Sequence, residues 1–123
     1  MRLAHLGTPA VINLWASWCA PCRTELPQIQ RYADRMAGRV LVVGVITQDP
    51  VRSRPGSLID DLGLRFPMLA DPSAGLQHAV GGQVLPMTLL VDAQGRVAYR
   101  YAARPLDAVA LADLVERYLR VPV

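Results

Sequence analysis

Short apolar runs separated by polar stretches recur along the chain, and most have the length of a β-strand. They predict strands at residues 11–15, 39–46, 66–69, 86–92 and 96–102. In the last of these, apolar and polar residues alternate, and the preceding "DAQG" is typical of a tight turn. The final two strands are therefore predicted to form a hairpin.

Between the first two strands, the apolar positions change to helical spacing. They predict one buried helix face, formed by Leu26, Ile29, Ala33 and Met36. Pro21 suits the first turn of this helix, where its missing N–H costs no hydrogen bond. Pro27 is predicted to kink the helix, and Gly38 is predicted to end it.

Three further helices are predicted. Residues 49–55 form a loop before a short helix at 57–64, which Ser57 caps. A second short helix, at 73–80, stops at the glycine pair Gly81–Gly82.

The last helix is predicted to open at Pro105. Its apolar face is formed by Leu111, Leu114, Val115 and Tyr118. The resulting order, β-α-β-α-β-α-β-β-α, predicts an α/β fold in a single domain over residues 1–123. Crossover connections favour parallel pairing of the early strands, and the hairpin adds antiparallel ones.

Composition and charge exclude several classes of protein. The 123 residues are 52% hydrophobic and 19% charged, which is typical of a folded domain. All 13 basic residues are arginines without a dense run, and the net charge is +3, so nucleic acid is not an expected partner. No apolar run approaches the roughly 18 residues of a membrane span. A signal-peptide pattern is also missing, so the protein is expected either to be cytoplasmic or to have lost a targeting segment.

The two cysteines, Cys19 and Cys22, lie close together in "WCAPC". A structural disulfide is one interpretation, although closing so short a loop removes little chain entropy. A metal site, such as a copper site, is a second, but zinc needs about four ligands, and His5 and His78 each stand alone. Redox chemistry is the third, and it is favoured because a CxxC beside a β-α-β pattern is typical of it.

The redox interpretation follows from the position of the cysteines at the start of a helix. The partial positive charge of a helix N-terminus stabilises a thiolate and lowers the pKa of the thiol. We therefore expect Cys19 to be the exposed, attacking thiol, and Cys22, one turn inside, to resolve the mixed disulfide. Trp18 is expected to offer an apolar surface beside the reactive sulfur, whereas Trp15 is expected to lie in the core.

These motifs resemble the thioredoxin superfamily. "WCAPC" is similar to its active site, Pro27 to its helix-kinking proline, and "LPMTLLVD" to its cis-proline loop, with Pro86 as the cis-proline. "NLWASWCAPCRTELP" and "VVGVITQD" resemble the TlpA/ResA-like branch most, and the resemblance covers residues 9–119. It implies a thioredoxin fold, with a central mixed sheet and helices on both faces, and thiol-disulfide oxidoreductase activity. The resemblance implies no metal, and no cofactor other than the Cys19–Cys22 pair.

The resemblance also assigns roles to individual residues. Asn13 stands where thioredoxin has a buried aspartate. Glu25, three residues after Cys22, matches a glutamate that acts as an acid-base group in this branch; the alternative is an ordinary solvated first-turn glutamate. The groove that receives the partner chain is expected to be formed by Trp18, Ala20, Pro21, Leu85 and Pro86.

Members of this branch are exported or membrane-tethered. The resemblance thus implies an extracytoplasmic, partner-selective reductant, membrane-tethered or secreted, rather than a cytoplasmic protein. Protein thiols and disulfides are its expected partners, in cytochrome c maturation or other exported proteins, and a transmembrane thiol carrier is the expected electron donor. A cytosolic general thioredoxin and a copper carrier are the alternatives.

The sequence also departs from the family pattern. Val84, Met87 and Leu89 differ from the residues usual around the cis-proline, which bears on the substrate rather than on the CxxC chemistry. The N-terminal β-hairpin of the family is missing from the pattern, as expected of a trimmed chain.

Overall fold

The computed structural model describes residues 7–49, 53–71, 73–81, 84–102 and 104–123. It contains five strands, β1 (Ala10–Trp15), β2 (Leu41–Thr47), β3 (Met68–Asp71), β4 (Met87–Val91) and β5 (Val97–Ala102). Its four helices are α1 (Ala20–Arg35), α2 (Ser53–Leu62), α3 (Gly75–Ala79) and α4 (Ala108–Leu119). Element types and order agree with the sequence prediction.

The strands form one mixed sheet in the order β3-β2-β1-β4-β5. The strands β1, β2 and β3 are parallel, and β4 and β5 are antiparallel to their neighbours. Central strand β1 is buried at all six positions, because both faces of the sheet are covered there. The carboxyl ends of the three parallel strands meet at one edge, and β4 begins at that edge, since Met87 pairs with Leu14.

Helices pack on both faces of the sheet, as predicted. The larger core lies between the sheet and helices α1, α2 and α4, and includes Trp15, Leu26, Leu58 and Leu111. The other core contains Ile12, Leu14, Val45 and Leu89, with Leu76 of α3 packed against it. The alternation of side chains along β1 divides its residues between the two cores.

Close packing beside Trp15 explains a glycine in the middle of β2. The Trp15 Nε1 atom donates to the sulfur of Met68 at 3.4 Å. A Cβ added at Gly44 would lie 3.0 Å from Trp15 Nε1 and 3.1 Å from a ring carbon of Phe66. Only a residue without a side chain therefore fits between the indole and the edge strand.

The start of two helices differs from the prediction. Helix α2 begins at Ser53, so Ser57 lies inside the helix and is not its cap, and the predicted loop is shorter than 49–55; residues 50–52 lie outside the described residues. Helix α4 begins at Ala108 rather than at Pro105, because the side chain of Asp107 caps it by accepting from the Ala110 N–H at 2.7 Å.

Other boundaries moved by a few residues. The strands β2 and β3 begin two residues later than predicted, where their pairing registers start. Helix α1 ends at Arg35, and Gly38 follows with a positive φ of 82°. The helix continues through Pro27. Of the glycine pair that is predicted to end α3, Gly82 lies outside the described residues. His5 also lies outside them.

Candidate functional site

The two cysteines lie at the edge of the sheet where the parallel strands end. The chain leaves β1 at Trp15 and reaches Cys19, the N-cap residue of α1, while Pro21 occupies the first turn as predicted. Cys19 and Cys22 form a disulfide, with an S–S distance of 2.24 Å. The sequence thus places a redox-competent pair at a helix N-terminus, next to the centre of the sheet.

The helix N-terminus interacts directly with the sulfur of Cys19. The Cys22 N–H donates to Cys19 Sγ at 3.2 Å. Such an N–H, together with the helix dipole, stabilises negative charge on this sulfur once the disulfide is opened. Cys19 is therefore the better placed of the two to exist as a thiolate.

The expectation that Cys19 is exposed is not met in the disulfide form. Cys19 is only 4% exposed and Cys22 only 1%. The reason is that Cys19 Sγ turns back over the helix end to bond with Cys22, instead of pointing to solvent. The order of accessibility agrees with the prediction, but the difference is small.

Trp18 and Trp15 differ in exposure, as predicted. Trp15 is fully buried, whereas Trp18 is 54% exposed directly before Cys19. Its Nε1 donates to the carbonyl of Gln48 at 2.7 Å, and the neighbouring Ser17 N–H donates to Asp49 Oδ2 at 2.6 Å. These bonds fix the loop before α1 to the end of β2 and hold the indole beside the disulfide.

Glu25 is buried beneath this site, with 1% of its surface exposed, so it is not a solvated first-turn glutamate. Its Oε1 accepts from Asn13 Nδ2 at 2.5 Å, and its Oε2 accepts from the Leu106 N–H at 2.7 Å. Burial raises the pKa of Glu25, and the bonds from Leu106 and Asn13 oppose this rise in part. A carboxyl group with a raised pKa at a buried site is suited to holding and releasing a proton.

Asn13 joins Glu25 to the neighbouring strand. It is fully buried in β1, and its Nδ2 also donates to Thr88 Oγ1 of β4 at 3.2 Å. Its Oδ1 is buried and has no hydrogen-bond partner within the described part of the chain. Sequence reasoning missed Thr88 and Leu106, which join the network from 75 and 81 residues away and carry no local signal.

The predicted cis-proline is present. The Leu85–Pro86 peptide bond is cis, and it directly precedes β4, at the sheet edge where the disulfide lies. Pro86 is buried, Leu85 is half-buried, and Ala20 and Pro21 are exposed at the start of α1. The fold thus brings these residues and Trp18 to one edge, and their role in binding a partner stays a prediction.

The described residues contain no group of three or more His, Cys, Asp or Glu side chains that could hold a metal ion. His78 lies in the last turn of α3, which packs on the opposite face of the sheet from α1. Within the described ranges, no helix is long and apolar enough to cross a membrane.

Comparison with known families decides the classification. The model of the AhpC/TSA family matches residues 2–100. The chain belongs to this family. Among curated relatives, it is 32% identical over 114 residues to the thiol:disulfide interchange protein DsbE of Yersinia pestis, covering 91% of this chain and 58% of that protein. It is 27% identical over 92 residues to the thiol-disulfide oxidoreductase ResA of Halalkalibacterium halodurans, covering 74% and 52%.

Solved structures that are similar to this chain confirm its thioredoxin fold. StoA from Bacillus subtilis superposes with a TM-score of 0.77 at 26% identity, covering 85% of this chain and 80% of that one. A DsbF homologue from Corynebacterium diphtheriae gives a TM-score of 0.81 at 28% identity, covering 92% and 73%. The resemblance to ResA-like proteins is confirmed. The chain spans about half the length of the curated relatives, with 49% of the DsbE homolog of Paracoccus denitrificans and 58% of the Yersinia pestis protein covered.

Proposed function

We propose that this protein is a thiol-disulfide oxidoreductase that reduces disulfides of selected protein partners. The observation that carries the proposal is the Cys19–Cys22 disulfide at the N-terminus of α1, with the buried carboxyl of Glu25 one turn further along the same helix. The names of its relatives support it, since both DsbE and ResA are named for thiol-disulfide chemistry.

The first step is attack by Cys19 of the reduced protein. The Cys19 thiolate forms a bond to one sulfur of the partner's disulfide, and the partner's other sulfur leaves as a thiolate and takes a proton. The helix N-terminus favours this thiolate through the Cys22 N–H and the dipole. The product is a mixed disulfide between Cys19 and the partner.

In the second step, Cys22 resolves the mixed disulfide. Its thiol loses a proton, its sulfur attacks Cys19 Sγ, and the partner leaves as a second thiolate. Two electrons have then passed from the protein to the partner, and the protein holds the Cys19–Cys22 disulfide. Glu25 is the group we assign to accept the proton of Cys22, because positions three apart on a helix are neighbours.

The proton on Glu25 belongs on Oε1. The Leu106 N–H can only donate, so Oε2 must remain an acceptor. At Oε1, the side-chain amide of Asn13 can rotate so that its Oδ1 accepts a hydrogen bond from a proton on Oε1. The Thr88 hydroxyl can then donate to Asn13 instead of accepting from it. Asn13 thus supports both protonation states of Glu25.

The partner chain binds where the parallel strands of the sheet terminate, against Trp18, Ala20, Pro21, Leu85 and Pro86. Trp18 supplies exposed apolar area there, and the loop before β4 offers backbone groups to an extended chain. Partners of this kind are protein disulfides, including those of exported proteins such as cytochromes c during maturation. A transmembrane thiol carrier returns the electrons.

Action outside the cytoplasm is part of the proposal. A secreted thiol-disulfide isomerase from Corynebacterium glutamicum has a structure similar to this chain, with a TM-score of 0.76 and 27% identity. The full protein is accordingly expected to be membrane-tethered or secreted.

Trapping of the mixed disulfide tests the exchange reaction. In Cys22→Ser, attack by Cys19 cannot be resolved, so we expect a covalent adduct with a disulfide-containing protein such as insulin, detected by mass spectrometry and reversed by dithiothreitol. Cys19→Ser is the matched control, and we expect at most a trace of adduct from it. Equal or greater adduct in Cys19→Ser would make Cys22 the attacking thiol and contradict the assignment.

A further inference from the structure

A small cleft lies beside the disulfide, between the first turn of α1 and helix α2. Its volume is about 190 Å³, and its walls are formed by Ser17, Arg23, Arg54, Ser57, Leu58 and Asp61. Ser17 precedes Cys19 by two residues, and Arg23 follows Cys22 directly. Two of the wall residues therefore flank the CxxC motif in sequence.

Positive charge predominates in this cleft. Two arginines, Arg23 and Arg54, line it and are exposed, and Asp61 is the one carboxylate among its wall residues, while the carboxylate of Asp49 accepts from the N–H of the wall residue Ser17 at 2.6 Å. Among the residues that the structure describes, neither guanidinium forms an ion pair; the one such pair is Arg65–Asp34, elsewhere on the surface. Both arginine side chains are exposed, so a ligand in the cleft can reach them.

Ser17, which lines the cleft, carries an unsatisfied polar group. Its Oγ atom is buried and has no hydrogen-bond partner among the residues that the structure describes. A buried hydroxyl without a partner is uncommon, because the loss of its hydrogen bonds to water costs free energy. Because this Oγ atom is buried, a ligand in the cleft would be bound through the two guanidinium groups.

On the other side of the disulfide the surface is apolar. Trp18 and Val84 are 54% and 50% exposed, and Leu85 is half-buried next to Val84. A partner's cysteine at this site therefore meets apolar side chains on one flank and a cationic cleft on the other.

We propose that the cleft selects partners that carry an aspartate or glutamate close to the reacting cysteine. Arginine donates two parallel hydrogen bonds to a carboxylate, and the cleft is large enough for one such side chain. This proposal rests on the proposed function, since it defines the substrate class of the same site. Asp61 restricts the cleft to a single anionic group, because a second carboxylate would meet a like charge.

Peptide thiols test the selection on the oxidised protein. The peptide thiolate attacks Cys19 Sγ, the Cys19–Cys22 bond breaks, and Cys22 leaves as a thiolate that takes a proton. Peptides with one cysteine are compared, with glutamate, glutamine or lysine two residues before or after it. The rates of mixed-disulfide formation are followed by mass spectrometry after acid quenching. Each rate is divided by that of the same peptide with bis(2-hydroxyethyl) disulfide, which removes differences in thiol pKa.

We expect the better glutamate peptide to react about 1.5 to five times faster than its glutamine counterpart, the range of an exposed charge pair. Raising NaCl from about 20 mM to about 500 mM should reduce this ratio, since salt screens exposed charges. In the double variant R23Q/R54Q the ratio should fall to about one. In R54E, the lysine peptide should be the faster one. The control R31Q/R35Q removes two exposed arginines from the far end of α1 and should keep the wild-type ratio.

The outcomes separate the two proposals. A wild-type ratio near one, or a raised ratio that survives in both R23Q/R54Q and R54E, overturns the cleft as a selectivity site but leaves thiol-disulfide exchange intact. Failure of every peptide to form a mixed disulfide with the wild type overturns the proposed function itself, and the cleft proposal with it.

Discussion

Asn13 of the central strand donates to Glu25 of helix α1 at 2.5 Å, and both side chains are buried directly behind the loop that leads into the active-site disulfide. The family resemblance places Asn13 where thioredoxin has a buried aspartate. Here the carboxyl group comes from the helix instead, and the strand supplies an uncharged amide.

Replacing Glu25 by glutamine should change how the stability of the oxidised protein depends on pH. Burial raises the pKa of Glu25 above its ordinary value of 4.5. As the pH rises through 4.5, the unfolded chain releases this proton before the folded one does, so the free energy of unfolding falls until the folded pKa is passed. Glu25→Gln lacks this loss, so its stability relative to the wild type should increase from pH 4 towards pH 8.

Urea unfolding at several pH values measures this difference, and the disulfide form avoids titration of the thiols. The control is Glu116→Gln, which removes the only other glutamate, exposed on α4. If the stability of Glu25→Gln relative to the wild type stays constant or decreases as the pH rises, the fold does not raise the pKa of this carboxyl group.

The same substitution should lower the pKa of the reactive thiol in the reduced protein. A carboxylate close to a thiol disfavours the thiolate, so its removal favours it. We expect the thiolate absorbance of Glu25→Gln near 240 nm to appear at lower pH than in the wild type, and Glu116→Gln to titrate like the wild type. A curve that does not move for Glu25→Gln would mean that Glu25 is a structural group without influence on the cysteines.

Gly44→Ala should destabilise the protein through the core beside Trp15. The added Cβ would lie 3.0 Å from Trp15 Nε1 and 3.1 Å from Phe66, closer than ordinary contact. Overpacking of this kind costs about 1–3 kcal/mol in the free energy of unfolding. Gly56→Ala is the matched control, since a Cβ there meets nothing within 4 Å, and alanine in a helix is about 1 kcal/mol better than glycine. Equal effects of the two substitutions would contradict the close packing around Gly44.

Local sequence patterns predict a large part of this molecule. The cysteines at the helix start, the proline in the first turn and the strand-turn-strand unit at the end are set by neighbouring residues, and the structure confirms them. The cis bond before Pro86 follows from the family resemblance and is also confirmed. Short apolar runs predict which segments form strands. The ends of a strand depend on its pairing with neighbouring strands, and so β2 and β3 begin later than predicted.

The polar network beneath the disulfide could not be predicted in full. Glu25 has the spacing of an exposed helix residue as much as of a buried one, and its partners are far away in sequence, in β1 and in the chain before α4. Its partner Leu106 acts through a backbone N–H, which has no sequence signature, and Thr88 is an ordinary strand residue by pattern. The early start of α2 was missed because proline within "SRPGS" favours a loop locally, whereas the first turn of a helix accommodates it.

The reduction potential tests the central claim, that the protein is a reductant, most directly. No histidine lies between Cys19 and Cys22 to stabilise the thiolate, Asn13 is uncharged, and Glu25 is expected to disfavour the thiolate. We therefore expect a potential close to the roughly −270 mV of thioredoxin and far from the roughly −120 mV of a strong oxidant. Equilibration with glutathione buffers, read by Trp18 fluorescence and by mass spectrometry after alkylation, gives the value. A potential at or above about −180 mV would contradict the claim that the protein is a reductant and would indicate an oxidase.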